Sequence, residues 1–199
     1  GSHEDESIVI ARHLAALGCH RIGVVYDRSP IGERHLHFLR AEVGILGSQV
    51  AADRWVDTLA QDTSDEVGEV VAAGADALVY LGLGLSAPAV ARAAGERGWN
   101  GPRVMNTAGI RGDQPGVAAM IDGWTYVDLH ADDNTALTAL QRRLGFGDER
   151  RLAAAKGHDL GRLVAEALAR APEPTRQGVL TGLEQIKWLP AAEGHEGTL

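Results

Sequence analysis

Apolar positions along the first 130 residues alternate between two rhythms. Residues 8–17 place Ile8, Val9, Leu14, Ala15 and Leu17 at helical spacing. The acidic Glu4, Asp5 and Glu6 ahead of them suit the positive end of a helix, and Gly18 suits its stop. Arg21, Ile22, Gly23, Val24, Val25 and Tyr26 make a short run too uniformly apolar for a strand with one wet face, so it reads as a strand covered on both sides. The same alternation continues, with helix over 32–47, strand over 49–56, helix over 65–73 and strand over 75–81. Next come a helix over 86–97, with Ser86 as its cap and Pro88 in its first turn, and a strand over 103–107. Residues 108–117 hold Gly109, Gly112, Pro115 and Gly116 and read as loop. Residues 120–129 read as one more strand, with Val127 and Leu129 its most strand-like positions.

Beyond Leu129 only the helical rhythm remains. One helix, capped by Asp132 or Asp133, runs to about Leu144, where Gly145, Phe146 and Gly147 break it. A second spans 152–171 with Gly157 as a weak point, and a third spans 175–187 before Pro190. Strand–helix alternation at this spacing implies βαβ units. The expected fold is α/β, a doubly wound, mostly parallel sheet, followed by a C-terminal group of helices.

Composition narrows this little. The 199 residues are 45% hydrophobic, and the 25 glycines suit many short turns between strands and helices. A formal charge of −8 argues against a nucleic-acid surface, which needs clustered Lys and Arg. A single cysteine, Cys19, allows no internal disulfide. Gly1, Ser2 and His3 read as a cloning scar, so the lack of an export signal carries no weight.

Candidate chemistry is sparse. Gly82 and Gly84 follow a strand, but a dinucleotide fingerprint would put its third glycine at Ala87, and no phosphate loop is present. His35 and His37 lie two apart on a helix and point about 200° from one another, so they cannot share a metal. His130, His158 and His195 lie in separate elements, and all the histidines read as surface or boundary residues. Ser29 and Ser86 follow strands but lack the flanking glycines of a hydrolase elbow. Asp27 ends a strand as a receiver-domain aspartate does, without the acidic pair that holds magnesium there. No catalytic residue, metal or cofactor is expected. In open parallel sheets, ligands bind beyond the carboxyl ends of the strands. Those ends are residues 27–32, 82–86 and 106–109, whose backbone and hydroxyl groups suit hydrogen bonding to a small molecule.

The order of these pieces resembles the second lobe of type I periplasmic solute-binding proteins of ABC importers, the leucine-binding-protein-like group. The residues that carry the resemblance begin with Arg21 through Asp27, with Ile31 and Gly32 opening the next helix. They continue with Asp76 through Tyr80 and Gly82, the turn Gly98-Trp99-Asn100-Gly101-Pro102, and Gly123. Asn134 opening a helix, Gly157-His158-Asp159, and the helix over 179–186 complete the order. The resemblance implies two doubly wound lobes closing on a solute. Residues 4–128 would be the second lobe and 129–199 helices returning toward a truncated first lobe.

It also implies ligand-binding positions at Ser29, Pro30, Ile31, Gly32, Leu83, Gly84, Leu85, Thr107 and Ala108. The family's leucine-binding members carry an aromatic where this chain has Ile31, a tyrosine near Gly84 or Leu85, and an ammonium-pairing glutamate at Ala108. Without that glutamate a buried α-amino group would lose its charge partner, so a less charged or more apolar solute is expected. The implied partners are a small-molecule ligand and a membrane permease, and the implied location is periplasmic or extracellular, with a lipid anchor on the full-length protein. A ligand-sensing regulatory domain of the same fold, and an α/β enzyme with an unrecognised site, are the alternatives. Leu137, Leu140, Leu163, Val164 and Leu168 need cover, so a homodimer or domain exchange is expected.

Overall fold

A computed structural model describes residues 2–109, 116–128, 133–147 and 150–194, the side chain of residue 152 excepted. The chain divides into two compact units, Gly1–Val127 and Asp128–Leu199.

The first unit is built on a parallel sheet. Its elements in chain order are α1 (His3–Ala16), β1 (Arg21–Asp27), α2 (Pro30–Ile45), β2 (Gln49–Val56), α3 (Ser64–Ala72), β3 (Ala77–Leu81), α4 (Ala87–Glu96), β4 (Arg103–Met105) and β5 (Thr125–Tyr126). Among the described residues the strands lie in the order β2-β1-β3-β4-β5, every neighbouring pair parallel. All five residues of β3 are buried, because side chains alternate between two covered faces. Ala77, Val79 and Leu81 join Ile10 and Leu14 of α1 and Leu36, Leu39 and Val43 of α2. Leu78 and Tyr80 join Val67 and Val70 of α3 and Val90, Ala93 and Ala94 of α4. A helix pair therefore covers each face. The chain leaves β1 for β2 in one direction and reaches β3 in the other, which makes the gap between β1 and β3 the switch point of the sheet.

Local chemistry explains where the helices start. Ser2 and Asp5 form a reciprocal capping box at α1. The Ser29 hydroxyl accepts the Gly32 N–H at the start of α2, with Pro30 in its first position. Ser86 departs from the expected cap: its side chain makes no capping bond, and its hydroxyl is buried 3.0 Å from the Tyr80 hydroxyl. The strand expected over 120–129 reduces to Thr125–Tyr126. Ala118–Met120 is a single 3₁₀ turn, Val127 lies just past the strand, and Leu129 is outside the described residues. Gly109 packs against Tyr126 there, and β4 offers only two paired positions, so the edge strand stays short. Of the loop over 108–117, residues 110–115 are likewise outside the described residues.

The second unit holds α5 (Thr135–Leu144), α6 (Arg151–Arg170) and α7 (Arg176–Glu184). The cap of α5 is Asn134, whose side chain accepts the Leu137 N–H, rather than Asp133; Asp132 is outside the described residues. Helix α6 runs unbroken through Gly157. The interior of a well-packed helix tolerates a glycine at a cost of about 1 kcal/mol. Leu137 and Leu140 are buried within this unit with Ala155 and Ala192, so these two leucines already have cover.

Candidate functional site

The sheet's carboxyl edge gathers the three loops that the sequence nominates. Asp27 closes β1, residues 82–86 follow β3, and residues 106–109 follow β4. The Asp27 carboxylate joins the first two: one oxygen accepts the Leu83 N–H at 2.6 Å and the other accepts the Ser29 hydroxyl. Asp27 is fully buried. A Cβ on Gly82 would stand 2.3 Å from its carboxyl carbon, and one on Gly32 would stand 2.3 Å from its backbone oxygen. Only glycine lets both backbones close on this carboxylate.

Asn106 joins the second loop to the third. Its side-chain oxygen accepts the Gly82 N–H at 3.2 Å, and its amide nitrogen donates to the Gly82 carbonyl at 3.0 Å. That nitrogen also lies 3.3 Å from His35 Nε2, which accepts when the ring is neutral. From α1, the buried Glu6 carboxylate receives the Thr107 N–H at 3.0 Å and the Thr107 hydroxyl at 2.9 Å, and lies 3.7 Å from His35 Nε2. His35 is fully buried, which corrects the expectation that every histidine is a surface or boundary residue. Burial is the main reason its pKa falls to about 4 from 6.5. The neighbouring Glu6 opposes that shift, His3 adds to it, and Asp27 opposes it. His35 is therefore neutral at ordinary pH.

This network changes the chemistry expected of the rim. The Ser29 and Thr107 hydroxyls and the Leu83 and Thr107 N–H groups are engaged by Asp27 and Glu6 instead of facing outward. Gly84 and Ala108 are buried, Ile31 is half-buried, and Pro30, Leu83 and Leu85 are exposed. The outward face of the nominated residues is thus mainly apolar. Two hollows of about 390 and 330 Å³ in this unit are lined by none of the nominated residues; one is lined by Tyr26, Glu33 and Arg40, beside the first loop, the other by Arg92, Arg103 and Trp124. Among the described residues no group of His, Cys, Asp or Glu could hold a metal ion. No described helix is long and apolar enough to cross a membrane.

Sequence reasoning placed Asp27 and Asn106 at the loop ends, read Glu6 only as an acid suiting a helix start and His35 as a surface or boundary residue, and gave none of them a part in the rim. A signal for Glu6 and His35 existed. Glu6 is in phase with Ile10 and Leu14 at four-residue steps, and His35 with Leu39 and Val43, so each polar residue falls on its helix's buried stripe.

A family model described as periplasmic binding protein matches residues 2–198. No curated protein sequence matches the chain. Solved structures with the same fold include a type 1 periplasmic binding protein from Bordetella pertussis Tohama I, at 19% identity and TM-score 0.83, over 99% of this chain and 60% of that one. A leucine-binding protein from Thermotoga maritima MSB8 aligns at 16% identity and TM-score 0.83, over 96% of this chain and 57% of that one. An ABC-transporter solute-binding protein from R. palustris, in complex with 4-hydroxybenzoate, aligns at 14% identity and TM-score 0.78, over 97% and 55%. This chain therefore spans less than two thirds of the length of those proteins. By the family match along almost all of its residues, and by a parallel sheet whose loops meet at one rim, the chain belongs to the periplasmic binding proteins and has their type I fold.

Proposed function

We propose that this chain supplies one lobe of the solute-binding component of an ABC importer, and that its rim takes a small, mainly apolar organic solute lacking an α-amino group. The observation that carries this reading is the inward turn of the rim's polar groups. Asp27 and Glu6 are the carboxylates that hydrogen-bond the rim loops, and both are buried and bonded to the protein's own N–H and O–H groups. Neither is available to an ammonium, and Ala108 brings no carboxylate to replace them. A buried ammonium without a partner is strongly disfavoured. The apolar faces of Leu83, Leu85 and Pro30 offer contact area instead. Proteins of the same fold include a fatty-acid transporter's binding component and the 4-hydroxybenzoate complex, which is in keeping with this reading.

In this reading the partner is a membrane permease and the location is periplasmic or extracellular. The exposed Leu160, Val164 and Leu168 of α6 would be covered by another copy of the chain. Calorimetric titration of leucine against 4-methylpentanoate, the same skeleton without the amine, and against 4-methylpentanamide tests the solute assignment. At least one of the amine-free compounds should bind about tenfold or more tightly than leucine. Tighter binding of leucine, or steady turnover of any bound compound, overturns the proposal.

A further inference from the structure

The end of β2 carries an arrangement that the rim network does not use. Trp55 lies in register with Tyr26 one residue short of the end of β2, and 47% of its surface is exposed. The guanidinium carbon of Arg28, the first residue after β1, sits 4.8 Å from the centre of the Trp55 ring. The Arg28 N–H donates to the Val56 carbonyl at 2.8 Å, which ties the backbone of this arginine to the end of β2. Arg28 makes no ion pair with any described acid, whereas Arg40 pairs with Asp53 and Arg54 with Glu69 close by. What distinguishes Arg28 among the described arginines without an ion pair is its seat on an exposed indole. Its immediate neighbour Asp27 spends both carboxylate oxygens on Ser29 and Leu83.

Stacking on an aromatic face holds a guanidinium in place while leaving its edge N–H groups open, and that edge matches a carboxylate with two parallel hydrogen bonds. The loops after β2 and β3, the strands that flank β1, expose Leu59, Leu83 and Leu85, at 68%, 40% and 38%. Exposed apolar side chains around a single fixed charge describe a surface for an amphiphilic small molecule. We propose that Arg28, steadied by Trp55, binds the carboxylate of an apolar organic acid at the β1–β2 side of the rim, with the exposed leucines and the indole contacting its hydrocarbon or aromatic part. This rests on the reading of the rim as the solute site and adds the charge of the solute to it. One cation with one indole suits a monocarboxylate better than an anionic membrane, which requires several basic residues together.

The test uses matched pairs that differ only in charge, benzoate with benzamide and hexanoate with hexanamide, titrated into the chain and into its Arg28→Gln, Arg28→Lys and Trp55→Leu variants. Both side chains are exposed, and unchanged melting curves would show that the variants fold. The chain should prefer each acid over its amide by roughly tenfold or more. Arg28→Gln should abolish that preference while leaving amide affinity within about twofold, Arg28→Lys should keep part of it, and Trp55→Leu should weaken acid binding. An acid preference that survives Arg28→Gln, or equal binding of acid and amide to the parent chain, overturns the assignment of Arg28. In those cases apolar solutes still bind and the rim reading stands. Failure of every apolar compound to bind removes both.

Discussion

His35 shows how much one buried polar residue decides. Its Nε2 takes a hydrogen bond from Asn106 only in the neutral ring, while Nδ1 is buried with no partner. The charged ring would have to sit in the space that burial makes unfavourable, facing Glu6 and His3 of α1 and Asp27 of β1. The unfolded chain takes up this proton near pH 6.5, the folded chain only near 4. Between those values the unfolded state holds more protons, so His35 removes stability as pH falls through that window. The full gap corresponds to roughly 3 kcal/mol. Urea unfolding at about pH 7 and about pH 4.5 should show this loss in the parent chain and a clearly smaller one in His35→Gln. An identical loss in both would assign it to other groups.

At the scale of elements, the caps and the interior polar bonds separate helices that stand by themselves from helices that need a neighbour. Asn134 is 2% exposed and does two things at once. Its side-chain oxygen accepts the Leu137 N–H at the start of α5, and its amide donates to the carbonyls of Ala191 and Gly194 at 3.1 and 2.7 Å. Asp159 of α6 holds the same stretch by accepting the Ala192 and Glu193 N–H groups. Replacing Asn134 with Ala leaves a helix end uncapped and two carbonyls short of a donor, a loss of about 2–3 kcal/mol. Hydrogen exchange should show faster opening confined to residues 133–194 of the second unit, with β1 and β3 unchanged. Uniform acceleration in both units would contradict it. The residues alone pointed to Asp132 or Asp133 as the cap, and only the family resemblance pointed to Asn134 as the helix opener. Its bonds to Ala191 and Gly194 were legible in neither, since nothing in local spacing reports a partner 57 or 60 residues away.

For the whole molecule the open question is cover for the apolar surface. Leu137 and Leu140 are buried within their own unit, while Leu160, Val164 and Leu168 stand on one face of α6 at 64%, 46% and 52% exposure. Apolar residues at successive four-residue steps form a continuous stripe. Sedimentation over a range of concentrations should show self-association, and Val164→Lys should shift it toward monomer. A monomer at every concentration would show that this stripe does not pair copies of the chain.

Strand and helix order, the doubly covered sheet and the three loops at its carboxyl edge were all set by residue type and period. A buried β3 needs five apolar residues in a row, and an amphipathic helix needs its 3.6-residue stripe; both are properties of neighbouring residues. What only the tertiary structure decided is which way the rim's polar groups point. Ser29, Thr107 and the Leu83 N–H read from the chain as hydrogen-bonding groups for a ligand, and in the fold they are taken by Asp27 and Glu6. Glu6 and Thr107 are 101 residues apart, and Asp27 and Leu83 are 56 apart. The physical reason is that a buried carboxylate must find donors wherever packing brings them, and that demand is met across the sheet rather than along the chain.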